Sequence, residues 1–147
     1  MLGDVMYKLK EYGAVYTIGG VGYALLEILW RGYTHWSMML TGGLCFMVFY
    51  HLCQRFPTWR LWKKCLAGCL SITVIEFAAG VVVNLIFRLN VWDYSALPLH
   101  LLGQICLPYT LLWFLLCIPL VFFSNFLRGR LAILLNKKSR RAVTPLR

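Results

Sequence analysis

The sequence predicts an all-α fold: a polytopic membrane protein with four transmembrane helices, both termini on the cytoplasmic side, and a C-terminal basic amphipathic helix. Three observations carry this expectation. Hydrophobic residues make up 61% of the 147 residues and charged residues 14%, where a soluble domain has about 45–50% and about 25%. Four apolar runs approach the roughly 20 residues that a helix needs to cross a hydrocarbon core of about 30 Å. Lys and Arg gather beside alternate ends of those runs, as membrane orientation requires.

The spans are read at residues 12–30, 36–53, 65–87 and 101–123. The leading stretch MLGDVMYKLKEYG is charged, and no small-residue cleavage site follows the first apolar run, so that run is expected to be retained. The second run is the shortest, fitting an upright helix or a locally thinned bilayer. Pro108 and Pro119 lie inside the fourth and should kink or break it. Together these runs define a transmembrane domain over residues 1–123. Residues 124–147 form a basic cytoplasmic helix and tail. In that helix Phe126, Leu127, Leu131 and Leu134 are expected toward lipid and the cations toward anionic headgroups. The closing residues AVTPLR are expected to be unstructured.

Orientation follows from the cations. Lys8 and Lys10, then Arg55, Arg60, Lys63 and Lys64, then Arg128, Arg130, Lys137, Lys138, Arg140, Arg141 and Arg147 fall on one side of the four spans. Arg31 and Arg88 fall on the other. The positive-inside rule therefore puts both termini in the cytoplasm. Trp30, Trp36 and Trp92 mark the outer interface, and Trp59 and Trp62 the inner one. The net charge of +10 thus serves membrane orientation and lipid contact, and no nucleic-acid partner is implied. Six cysteines lie within or beside apolar runs and read as buried free thiols, since Cys65 and Cys69 at i, i+4 match no zinc-ribbon spacing.

Against this apolar background the polar residues are informative. Glu76 sits near the middle of the third span, where an ionised carboxylate costs about 2.5–3.5 kcal/mol on insertion scales. With Gly80, Asn84 and Arg88 it forms an i, i+4, i+8, i+12 stripe. In EILWRGYTHWSM, which closes the first span and opens the second, Glu27 and Arg31 are an i, i+4 pair with His35 beyond them. The third loop, NVWDYSALPLHLLGQ, is rich in polar side chains. Convergence of these groups predicts an outward-facing cavity lined by Glu27, Arg31, His35, Glu76, Asn84 and Asp93. Trp92, Tyr94 and Ser95 complete the candidate binding set. The competing reading makes the Glu–Arg pair and Asn84 hydrogen-bonding glue between helices. His35 and His100 are read as hydrogen-bonding loop residues, and no catalytic residue, metal ligand set or cofactor is assigned.

The runs GVGYALLEILWRGYTHWSM, TGGLCF, ITVIEFAAGVVVN and VWDYS-x-LP together resemble the ABC-transporter type IV family, also called CmpB-like bacterial integral membrane proteins. The resemblance covers about residues 12 to 116. The family's hallmarks correspond to Glu27, Trp30, Arg31, Gly32, His35, Ser37, Met38, Gly42, Gly43, Glu76, Gly80, Asn84, Trp92, Asp93, Tyr94, Ser95 and Gly103. The resemblance implies a permease role in the bacterial cytoplasmic membrane. No G-x-x-x-x-G-K-[ST] phosphate loop is present, so any ATPase would be a separate partner. Four spans are too few to enclose a transport path alone, which calls for a homo-oligomer or a larger membrane complex. The expected function is a small transporter or permease-like subunit. The alternatives are a membrane scaffold or regulatory subunit, and a membrane-embedded enzyme acting on a lipid-linked substrate.

Overall fold

The computed structural model describes residues 2–143, with side chains for residues 3–135. Expectations for residues 144–147, and for the side chains of Lys137, Lys138, Arg140 and Arg141, lie outside the described residues. Four helices run antiparallel in chain order: α1 (Leu2–Arg31), α2 (Trp36–Arg55), α3 (Leu61–Gly80) and α4 (Leu107–Val143). A π-helical stretch, Val81–Ile86, continues α3 directly. The long α3–α4 connection carries a minimal antiparallel ladder, β1 (His100–Leu101) with β2 (Ile105–Cys106). All four helices are long and apolar enough to cross a membrane. The fold is an all-α, multi-pass membrane protein.

The helices differ from the sequence expectation at their ends. α1 begins before the charged stretch that was expected to precede it, since Leu2–Arg31 is one helix. The fourth span starts at Leu107 rather than residue 101, and its apolar segment continues to Leu135. Pro108 therefore stands in the first turn of α4, where a missing N–H costs nothing, and Pro119 is inside the helix. The basic segment after Ser124 continues α4 without a break. Phe126 and Leu134 are exposed as expected, but Leu127 and Leu131 are buried in a cluster with Val15, Phe46 and Tyr50. That segment thus packs against α1 and α2 with one apolar edge.

α1 packs closely on α2, and α3 on α4, while α2 and α3 join the two pairs; α1 and α4 meet sparsely. Glycine allows the first approach. A Cβ on Gly20 would lie 2.6 Å from the Met39 carbonyl oxygen, and one on Gly43 would lie 2.8 Å from that of Tyr16. Without side chains at these positions the two backbones come into direct contact. A second apolar cluster, Phe49, Cys53, Cys65, Ile72, Cys117 and Val121, fills the space among α2, α3 and α4. All six cysteines are free thiols, and five are buried. At the end of the bundle carrying the α1–α2 and α3–α4 connections (the distal end) a third cluster joins Met38, Val83, Val91 and Trp92.

Candidate functional site

Glu76 is 4% exposed and lies toward the C-terminal end of α3, one turn before the π-helical stretch that continues it. Its Oε1 accepts a hydrogen bond from the Tyr94 hydroxyl at 3.2 Å, and its Oε2 accepts one from Trp113 Nε1 at 2.9 Å. Both donors are neutral. Among the described residues no Lys, Arg or His lies within ion-pair distance of it. The carboxylate therefore ties α3 to the α3–α4 connection and to α4, with spare acceptor capacity on both oxygens. A cavity of about 410 Å³ lies against it, bounded by Ile18–Leu26 of α1, Met38–Phe49 of α2, Ile72 and Glu76 of α3, and Trp113–Phe123 of α4.

That cavity is not the one the polar pattern predicted. Of the six residues expected to line an outward-facing space, Glu76 borders this one; Glu27, Arg31, His35, Asn84 and Asp93 do not. Its other walls are almost wholly apolar, with Tyr23, Thr41, Cys45 and Trp113 as the remaining side chains that carry a polar group. The five residues are bonded at the distal end to one another, to neighbouring side chains or to backbone groups.

Glu27 and Arg31 form the expected i, i+4 pair, Arg31 Nη2 to Glu27 Oε1 at 2.7 Å. Thr34 Oγ1 donates to Glu27 Oε2 at 2.6 Å, and Arg31 Nη1 donates to the Val91 carbonyl at 3.1 Å. The pair thereby clamps the end of α1 to the α3–α4 connection. The Arg31 guanidinium also lies 4.6 Å above the Tyr33 ring centroid. His35 is the N-cap of α2: its Nδ1 accepts from the Ser37 N–H at 3.3 Å and meets the Ser37 hydroxyl at 2.7 Å. His100 Nδ1 accepts from the Gly103 N–H at 3.2 Å. Both histidines are local hydrogen-bonding residues, as expected.

Asn84 is the centre of the distal cap. Its Oδ1 accepts from the Val91 N–H at 2.7 Å, and its Nδ2 donates to the Trp92 carbonyl at 3.0 Å and to Gln104 Oε1 at 2.8 Å. Trp92 Nε1 donates to the Gln104 carbonyl at 3.0 Å. Gly80 leaves room for this assembly, because a Cβ there would lie 2.6 Å from Gln104 Oε1. The π-helical stretch supplies the wider turn that brings Asn84 over the connection, a common use of such insertions. Asp93 and Ser95 close a tight turn, with Ser95 N–H and Oγ both donating to the Asp93 carboxylate at 2.8 Å. These bonds hold the exposed Asp93 carboxyl below the usual carboxylate range, the backbone N–H being the larger cause. Arg88, Asn90, Leu99 and Leu102 all take left-handed φ values of 49–55°. Such conformations persist in non-glycine residues where surrounding contacts hold them.

Trp113, Gln104 and Tyr23 belong to this arrangement and were outside the predicted set. Tyr23 stacks on Trp113 at 5.9 Å between ring centroids, and both rings face the cavity. Trp113 carried a usable signal: a tryptophan deep in a span is away from the interfacial belt and needs a partner for its N–H. A family model described as "Putative ABC-transporter type IV" matches residues 12–146, including Glu76, the distal cap and the α1–α2 connection. The chain belongs to this family. No curated protein and no solved structure matches it. In this chain Val91, Trp92 and Gln104 of the third loop join Asn84 in a cap, and Tyr94 links Glu76 to that loop.

Proposed function

We propose that the chain is a small transport protein or permease-like subunit of the bacterial cytoplasmic membrane, and that its substrate occupies the cavity beside Glu76. The observation that carries this reading is the buried carboxylate itself. It borders a space of about 410 Å³, within the roughly 300–1,000 Å³ typical of small-molecule sites. An ionisable group placed in the membrane interior without a cation is costly unless it is used. Family membership supports the transport class. The distribution of Lys and Arg supports cytoplasmic termini, with the basic end of α4 against anionic headgroups. The chain would work as a homo-oligomer or beside other membrane subunits, and any ATPase would be a separate polypeptide.

The test is flux in proteoliposomes for a panel of anionic, neutral and cationic solutes, comparing wild type with Glu76→Gln. The variant is expected to slow movement of at least one solute that the wild type carries. Identical fluxes across the panel would remove Glu76 from the mechanism. A scaffold is the second reading, favoured by the bonds from Tyr94 and Trp113 that make Glu76 a tie between helices. It expects Glu76→Gln to lower thermal stability with no carried solute at all.

A further inference from the structure

We infer that the cavity takes an amphiphilic organic cation, one positive centre on an aromatic or apolar body, which reaches it sideways from the bilayer through the seam between α1 and α4. This rests on the transport reading and names its substrate class. Four features of the cavity fit that chemistry together. Its walls are largely apolar, Ile18, Phe46, Phe49, Ile72, Leu120 and Phe123 among them. Its acidic group, Glu76, has two neutral donors and no described cation, so a positive ligand supplies the missing countercharge. The Glu27–Arg31 pair is closed on itself and cannot do so. Beside the carboxylate the stacked Tyr23 and Trp113 rings offer the electron-rich faces that attract organic cations.

The route follows from what is shut. At the distal end the Asn84–Trp92–Gln104 network and the Arg31 clamp occupy the polar groups that would otherwise line an aqueous mouth. Toward the other end the Val15, Tyr50, Leu127 and Leu131 cluster brings α4 against α1 and α2. Between these closures α1 and α4 meet only sparsely, chiefly through the Tyr23–Trp113 stack. Gly22 lines the cavity, and a Cβ built there meets nothing within 4 Å. Leu26 and Phe123, also in the lining, are 57% and 41% exposed on the surface of the spans. An anionic amphiphile would meet the Glu76 charge with nothing to offset it. A neutral polar headgroup would lose its hydration for the spare acceptor sites of a single carboxylate.

The experiment measures equilibrium binding of labelled tetraphenylphosphonium to the full chain in zwitterionic-lipid nanodiscs, with tetraphenylborate as the anion of the same shape. Wild type is expected to bind the phosphonium saturably and the borate not at all. Glu76→Gln should weaken phosphonium binding by about thirty-fold or more, as loss of one member of a desolvated charge pair does. Gly22→Leu, which fills the cavity and leaves both Glu76 hydrogen bonds in place, should weaken it comparably. Absence of saturable phosphonium binding to folded wild type overturns the inference, as does equal binding by either variant. Should Glu76→Gln fail to fold, Gly22→Leu alone decides. Saturable borate binding would overturn the charge class while the cavity stands as a binding site. A Glu76-dependent flux of a neutral or anionic solute would likewise leave the transport reading intact.

Discussion

Replacing Asn84 with alanine tests whether the distal cap is held as described. The side chain is 5% exposed and makes three hydrogen bonds, to the Val91 N–H, the Trp92 carbonyl and Gln104 Oε1. Side-chain hydrogen bonds in membrane proteins average about 0.6 kcal/mol, so three bonds set a floor near 2 kcal/mol. Stranding a buried partner costs about 1–3 kcal/mol, but water at the end of the bundle can reach some of these groups, so about 2–4 kcal/mol is expected. Hydrogen exchange at the Val91 amide reads this directly, because Asn84 Oδ1 is the acceptor for that N–H. A loss of 2 kcal/mol corresponds to roughly thirty-fold faster exchange. Asn84→Asp is a sharper version: it can still accept from Val91, yet it sets a carboxylate against the Trp92 carbonyl and Gln104 Oε1. Exchange at Val91 within about threefold of wild type in Asn84→Ala would refute the latch.

Two further outcomes probe packing and charge. Gly43→Ala puts a methyl 2.8 Å from the Tyr16 carbonyl oxygen and should destabilise the α1–α2 pair by about 1–3 kcal/mol in denaturant titrations; Gly22→Ala, with open space around its Cβ, should leave the midpoint nearly unchanged, and equal losses in both would contradict the packing described. The Asp93 carboxyl is held low by the Ser95 N–H and hydroxyl, so its contribution to turn order is complete above the unfolded carboxylate pKa and is lost as pH falls through the lower folded value. The Ser95 amide resonance should therefore hold steady down to about pH 4 and move only below it, whereas Ser95→Ala should raise the midpoint, and a wild-type midpoint above that value would count against the turn.

Much of this architecture is legible in the chain because long apolar runs leave a membrane helix few alternatives. Glu27 and Arg31 could be paired from spacing alone, since i, i+4 residues share a face and their partner is local. The stripe Glu76, Gly80, Asn84, Arg88 is only partly kept. The π-helical turn changes the residues per turn after Gly80, and Arg88 leaves the helix with φ at 55°. Periodicity also says which residues share a face but not what that face meets. Gln104 and Trp113 are 20 and 37 residues from the side chains they bond, Asn84 and Glu76. Leu127 and Leu131 looked lipid-facing because a basic, amphipathic segment was read in isolation. Only the packed bundle brings Val15 and Tyr50 against them.

The polar groups that converge at one end of the bundle have a consequence for how any ligand reaches Glu76. A group whose donors and acceptors are already used inside the protein does not also line an aqueous vestibule. Asn84 spends both ends of its amide and Asp93 is turned back on Ser95, while Arg31 reaches Glu27 and a backbone carbonyl with its Nε left buried without a hydrogen-bond partner among the described residues. With the cap closed, the Glu76 carboxylate keeps contact with it through a single side chain, Tyr94, whose hydroxyl bond at 3.2 Å is longer than the one from Trp113 at 2.9 Å. On the proposed reading, a positive ligand settling against Glu76 would meet that longer bond first. Tyr94 also stacks on Tyr109 of α4 at 4.6 Å between ring centroids, so one side chain touches the cap, the first turn of α4 and Glu76. On the proposed reading, occupancy of the cavity and closure of the distal end would be opposed through one phenolic hydroxyl.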